Sequence, residues 1–261
     1  MNTKILPYRL FVLTLIALFA ATACQPKGTA TEQAATDSAP STSSGTGSGN
    51  PAAINKDLFL DPAITEDKDS LLISQYLYEG LVVLDGNGQP QPGIAESWVI
   101  SDDQLDYIFS LRPGITFSDG TPITPDIVAD NFNRWFDPKN ALHKDGDYTA
   151  WENIFLGFLG EKDSTDRAKS TVDGIQKVDS NTVLLHLNRP VPETLTYLAN
   201  PAFAILNTAA IAAGNYGTKG SEISSSGPYI VSTWDDNGLA LDPNPNYWGK
   251  IPTDGLKFTW R

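Results

Sequence analysis

Residues 28–50, GTATEQAATDSAPSTSSGTGSGN, contain no large apolar side chain. A run of Gly, Ser, Thr and Ala buries too little surface to offset the entropy lost on ordering, so it reads as a flexible tether and not as part of a fold. Compact structure is therefore confined to residues 54–261, enough chain for one large domain or two small ones.

Upstream of the tether, Lys4 and Arg9 flank or precede LFVLTLIALFAATA, residues 10–23, which carries no charge and ends in small residues. A positive start, an apolar core too short to span a bilayer with ordinary flanks, and a small-residue end make residues 1–23 a secretory signal peptide. Cys24 follows directly and is the chain's 1 cysteine, so neither a disulfide nor a multi-cysteine zinc site is available. Ala21-Thr22-Ala23-Cys24 resembles a bacterial lipobox, with Ala21 where that pattern favours Leu. The resemblance implies that Cys24 is lipidated and becomes the first residue after cleavage, with residues 24–53 as a lipidated tether holding the body outside the cytoplasmic membrane. Two acyl chains anchor stably where one does not. The alternative is an ordinary signal peptide followed by an unpaired thiol, a liability outside the cell.

Charge limits the partner. Asp plus Glu number 31 against 18 Lys plus Arg, a formal net charge of −13, and no basic stripe appears, which argues against a nucleic-acid partner. Six Trp, nine Tyr and eleven Phe supply both a core and material for a ligand cleft. No Gly-x-Ser-x-Gly elbow, His-Glu-x-x-His pair or phosphate-cradling loop with Lys is present, so the chain reads as a binding module without cofactor or metal, not as an enzyme.

Within the body, strands and helices alternate. Asp85-Gly86-Asn87-Gly88 lacks EF-hand carboxylate spacing and reads as a turn. Tyr107, Phe109 and Leu111 alternate with Ile108, Ser110 and Arg112, and Val183, Leu185 and Leu187 alternate with Leu184, His186 and Asn188; both are half-exposed strands. Arg112-Pro113-Gly114 is expected to close a hairpin. Thr124 caps a helix with Pro125 in its first turn, and Val128, Phe132, Trp135 and Phe136 form its core stripe, leaving Asn131 on the opposite face. His186 reads as a surface or hydrogen-bonded histidine.

Six segments in order carry a resemblance: LDPA (60–63), YEGLVVLD (78–85), PGIAESWVISDD (92–103), YIFSLRPGITFSDGTPITPDIVADNF (107–132), SGPYIV (226–231) and NPNYWG (244–249). Together they resemble the extracytoplasmic solute-binding proteins of ABC importers, family 5, the peptide and nickel class. The resemblance implies an α/β fold: a periplasmic-binding-protein-like first lobe of mixed sheets with packed helices over residues 54–261, incomplete, with the second lobe absent. It also implies a monomer that captures oligopeptides, dipeptides or another small solute and delivers it to permease subunits of the importer. Ligand contacts would come from the stretch after Leu-Asp-Pro, here Thr65, Glu66, Asp67 and Lys68, and from the aromatic segment holding Tyr148 and Trp151. With only two His, a directly ligated nickel ion is not expected. An anchored carbohydrate- or surface-interaction module would share the aromatic supply and the acidity.

Overall fold

The computed structural model describes residues 52–261. The expected signal peptide, Cys24 and nearly all of the expected tether lie outside the described residues. In chain order the elements are β1 (Ala52–Ile54), α1 (Lys68–Leu77), β2 (Val82–Leu84), β3 (Pro90–Pro92), β4 (Ala95–Ile100), β5 (Asp106–Leu111), α2 (Pro125–Phe136), α3 (Thr149–Phe155), β6 (Val172–Lys177), β7 (Thr182–Leu187), α4 (Thr194–Leu198), α5 (Thr208–Ala212), β8 (Tyr229–Trp234), β9 (Gly238–Pro243) and β10 (Leu256–Trp260). No helix of the described residues is long and apolar enough to cross a membrane.

Two four-stranded sheets organise the chain. One, in the order β4-β5-β7-β6, is antiparallel throughout. Tyr107, Phe109, Leu111, Val183, Leu185 and Leu187 are all buried on one of its faces, as their alternation requires, while Ile108 and Leu184 pair on the other. The second sheet, β1-β10-β9-β8, is antiparallel except that β1 runs parallel to β10, pairing Ala52 with Phe258. β2 and β3 form a separate hairpin across the turn at Asp85–Gly88.

Helix α2 packs on β6 and β7. Thr124 Oγ1 accepts from Ile127 N–H, so the expected cap forms. Val128, Phe132, Trp135 and Phe136 are all buried, with the Phe132 and Trp135 rings 4.7 Å apart. Burying side chains of this size contributes about 1.5–3 kcal/mol each. Asn131 corrects the expectation of a solvent face: it is fully buried. Its Nδ2 donates to the Ile127 and Leu206 carbonyls, each at 2.9 Å, and its Oδ1 accepts from Leu206 N–H. The helix is enclosed on two flanks, one apolar against the sheet and one polar against the segment at Leu206, and only the apolar flank leaves a periodic trace in sequence.

A second correction concerns Arg112-Pro113-Gly114. The β4–β5 hairpin closes instead at residues 101–106, where Ser101 N–H donates to the Asp106 carbonyl, and the Arg112 stretch leads out of β5. The second sheet packs on α1 through β8. Gly227 is required there: a Cβ would stand 2.9 Å from the Leu77 carbonyl carbon and the Tyr78 nitrogen, while its own N–H donates to the Leu77 carbonyl.

Candidate functional site

Leu60-Asp61-Pro62-Ala63 runs through the interior and delivers the chain to the surface at Thr65. Asp61 Oδ1 accepts from Ala63 N–H, and the Ile64 N–H donates to the Asp61 carbonyl, a tight turn that aspartate favours. Beyond it Glu66 and Lys68 are exposed, and Thr65 and Asp67 are half-buried. Asp67 is the N-cap of α1, its Oδ1 accepting from the Ser70 N–H and hydroxyl, each at 2.8 Å. Partial burial pulls its carboxyl upward, but these hydrogen bonds outweigh burial and hold it below the usual range.

Arg134, on α2, is fully buried and pairs through Nη2 with the Asp61 carboxylate. Its Nε donates to the Leu142 carbonyl at 3.2 Å. His143 lies 2.7 Å by Nδ1 from the Arg134 carbonyl, which only accepts, so this nitrogen carries the proton. The imidazole stacks on Tyr148, with centroids 4.2 Å apart and planes 20° from parallel. Ile64 in turn fills the space at Gly146, where a Cβ would stand 2.9 Å from its Cγ2. The two expected ligand segments, after Leu-Asp-Pro and around Tyr148, are thereby brought together.

The side chains within them are not equally placed. Tyr148 is 3 % exposed and Trp151 1 %. Trp151 sits among Trp135, Phe136, Phe155 and Phe203, and its indole N–H donates to the Gly157 carbonyl. Burial raises the Tyr148 phenol. Both rings are thus enclosed rather than open to a solute: Tyr148 is stacked on His143, and Trp151 packs at tilted and edge-on angles among core aromatics.

A second cluster joins Glu79, Arg112, Tyr247 and Trp248. Glu79 is buried and accepts from Trp248 Nε1 at 2.7 Å and from the Tyr247 hydroxyl at 3.4 Å. The Arg112 guanidinium lies over the Trp248 ring, 3.7 Å from its centroid, and Arg112 Nε donates to the Gly93 carbonyl. Burial pushes the Glu79 carboxyl up to about 7, with Trp248, Arg112 and Tyr247 opposing the shift. The only signal in the sequence is that Glu79 and the Tyr247-Trp248 pair fall in segments of the family pattern.

His186 is hydrogen-bonded as expected, its Nδ1 2.6 Å from Asp106 Oδ1. Two shallow grooves of about 190 and 220 Å³ flank Trp234, one also bordered by Lys56, Lys219 and Trp260; none of the six candidate residues lines either.

The chain is 32% identical over 198 residues to the periplasmic oligopeptide-binding protein OppA of Escherichia coli K12, covering 74% of this chain and 35% of that protein. It is 32% identical over 197 residues to the probable deoxycholate-binding periplasmic protein YgiS of the same organism, covering 72% and 35%. Among solved structures, HbpA2 from Haemophilus parasuis superposes with a TM-score of 0.68 at 27% identity, over 80% of this chain and 42% of that one. The chain thus spans about a third of the length of these curated relatives. Residues 89–259 match the sequence profile of the bacterial extracellular solute-binding proteins, family 5 Middle, and the chain belongs to that family.

Proposed function

We propose that the chain forms one wall of the solute-capturing component of an ABC importer, and that it takes oligopeptides or dipeptides outside the cytoplasmic membrane and passes them to permease subunits. The profile match over residues 89–259 carries this reading. A family of binding proteins needs no catalytic step; the working event is closure around the solute. The protein acts as a monomer, held at the membrane by lipid on Cys24.

The solute-facing residues are Glu66 and Lys68, both exposed, with the half-buried Thr65 and Asp67 beside them, while Tyr148 and Trp151 are enclosed in the wall of the neighbouring segment. Extended peptide backbone suits such an edge, since main-chain hydrogen bonds give affinity independently of side-chain identity. The name of OppA supports a peptide, while the name of YgiS points to a different solute on a similar scaffold, so the choice is tested directly. Di- and oligopeptides titrated to millimolar concentration are expected to give saturable shifts in the amide spectra of the 261-residue chain near residues 65–68. Saturable shifts with a steroid acid or a sugar instead, and none with peptides, overturn the peptide assignment.

A further inference from the structure

We infer that Arg134 is the positioning residue of the solute-facing edge: one buried guanidinium, together with the same residue's carbonyl, sets the placement of loop 61–68 relative to loop 142–148. The inference rests on the proposed function for what the loops do, but not for how they are held.

Each loop is tied to Arg134 by a separate atom. Nη2 engages Asp61, whose other carboxylate oxygen accepts the Ala63 N–H and so fixes the point where the chain turns outward to Thr65. Nε engages the Leu142 carbonyl, and the Arg134 carbonyl receives His143 Nδ1–H, which orients the ring that stacks on Tyr148. The contact of Ile64 with Gly146 then closes the circuit between the loops. A guanidinium serves here because its donors diverge in one rigid plane, so it reaches two acceptors on different segments at once; an ammonium on a flexible stem is a single point of charge. The pair has no access to water, and a buried ion pair of this kind contributes little net stability relative to apolar packing. Its effect is to select one arrangement of the two loops.

Hydrogen exchange of the 261-residue chain, read by mass spectrometry without any solute, tests this. Arg134→Lys keeps a charge for Asp61 but loses the Leu142 contact: amides at 142–148 are expected to exchange at least about tenfold faster, with those at 61–68, β5 and β7 unchanged. Arg134→Met loses both contacts, and both loops are expected to speed up together. His143→Phe keeps a ring against Tyr148, leaves the ion pair intact and removes the Nδ1 donor; it is expected to loosen 142–148 alone, and it serves if the Met variant does not fold. Uniform acceleration across both sheets, or no acceleration in either loop, overturns the inference. Where the parent binds a peptide, Arg134→Lys is expected to weaken binding about tenfold, and an unchanged affinity despite loosened loops overturns the positioning role. A parent that binds no peptide overturns the proposed function alone, because the exchange pattern still decides how the loops are held.

Discussion

The indole N–H of Trp248 donates to the Glu79 carboxylate across 2.7 Å, joining positions 169 apart in sequence. Through it the turn after β9 is fastened to the chain between α1 and β2, and Arg112, stacked on the same indole, brings in the end of β5. One carboxylate therefore links elements of both four-stranded sheets.

Stability should depend on its proton. The folded value near 7 lies above the reference value of 4.5, so the folded protein holds the proton more tightly than the unfolded chain. The resulting stability is fully present below about pH 4.5 and is lost as pH rises to about 7, at about 1.4 kcal/mol per pH unit at most, or of order 3 kcal/mol in all. Glu79→Gln removes this dependence. Urea midpoints at pH 5, 6, 7 and 8 should converge between parent and variant in slope only if Glu79 is not the titrating group.

Phe132→Asp and Asn131→Asp should both be costly. The first leaves a carboxylate in an aromatic core, at several kcal/mol. The second replaces an amide that donates to two carbonyls with a charge that repels them, at roughly 2–4 kcal/mol. Asp130→Asn, at an exposed neighbouring position, should change stability by under about 0.5 kcal/mol. Thermal melts that group Asn131→Asp with Asp130→Asn would show that the Leu206 contacts do not hold the segment.

Glu66→Ala and Lys68→Ala should leave the melting temperature within a degree or two, since both side chains are in water, while weakening peptide binding. Trp151→Phe should do the reverse: it loses the Gly157 hydrogen bond and part of a packed ring, about 1–2 kcal/mol of stability, without changing affinity. With the loops open to water, calorimetry of the 261-residue chain should find no peptide tighter than roughly 100 μM, about −5.5 kcal/mol. Micromolar affinity would mean that these loops enclose a solute unaided.

Cys24→Ser should release the protein from membranes or leave it unprocessed, whereas the parent should sediment with them and incorporate labelled fatty acid. A parent that is wholly soluble and retains a free thiol rules out the anchor.

Some of this fold was legible in the sequence because period and burial coincide. β5 and β7 have one wet face, so their alternation survives in the residues; Thr124-Pro125 announces α2 because caps are local chemistry. Asn131 was illegible because its partner is Leu206, far along the chain, and a satisfied buried amide looks like a surface one until the second flank is known. The loop that carries Tyr148 meets the segment after Leu-Asp-Pro at Gly146 and Ile64, but an aromatic against a core and one lining a cleft are the same letter. The Glu79 cluster depends on long-range closure of three segments, which no local pattern encodes.

The parallel pairing of β1 with β10 has a consequence in time. Arg261 donates to the Ala53 carbonyl over a separation of 208 residues, and its backbone N–H donates to that of Ile54. On a ribosome, β1 emerges early and waits for almost the entire described chain before its neighbour exists. Such a closing step is slow, because the loop entropy must be met before the contact forms. Until then the second sheet stays unfinished, with β1 lacking its neighbour.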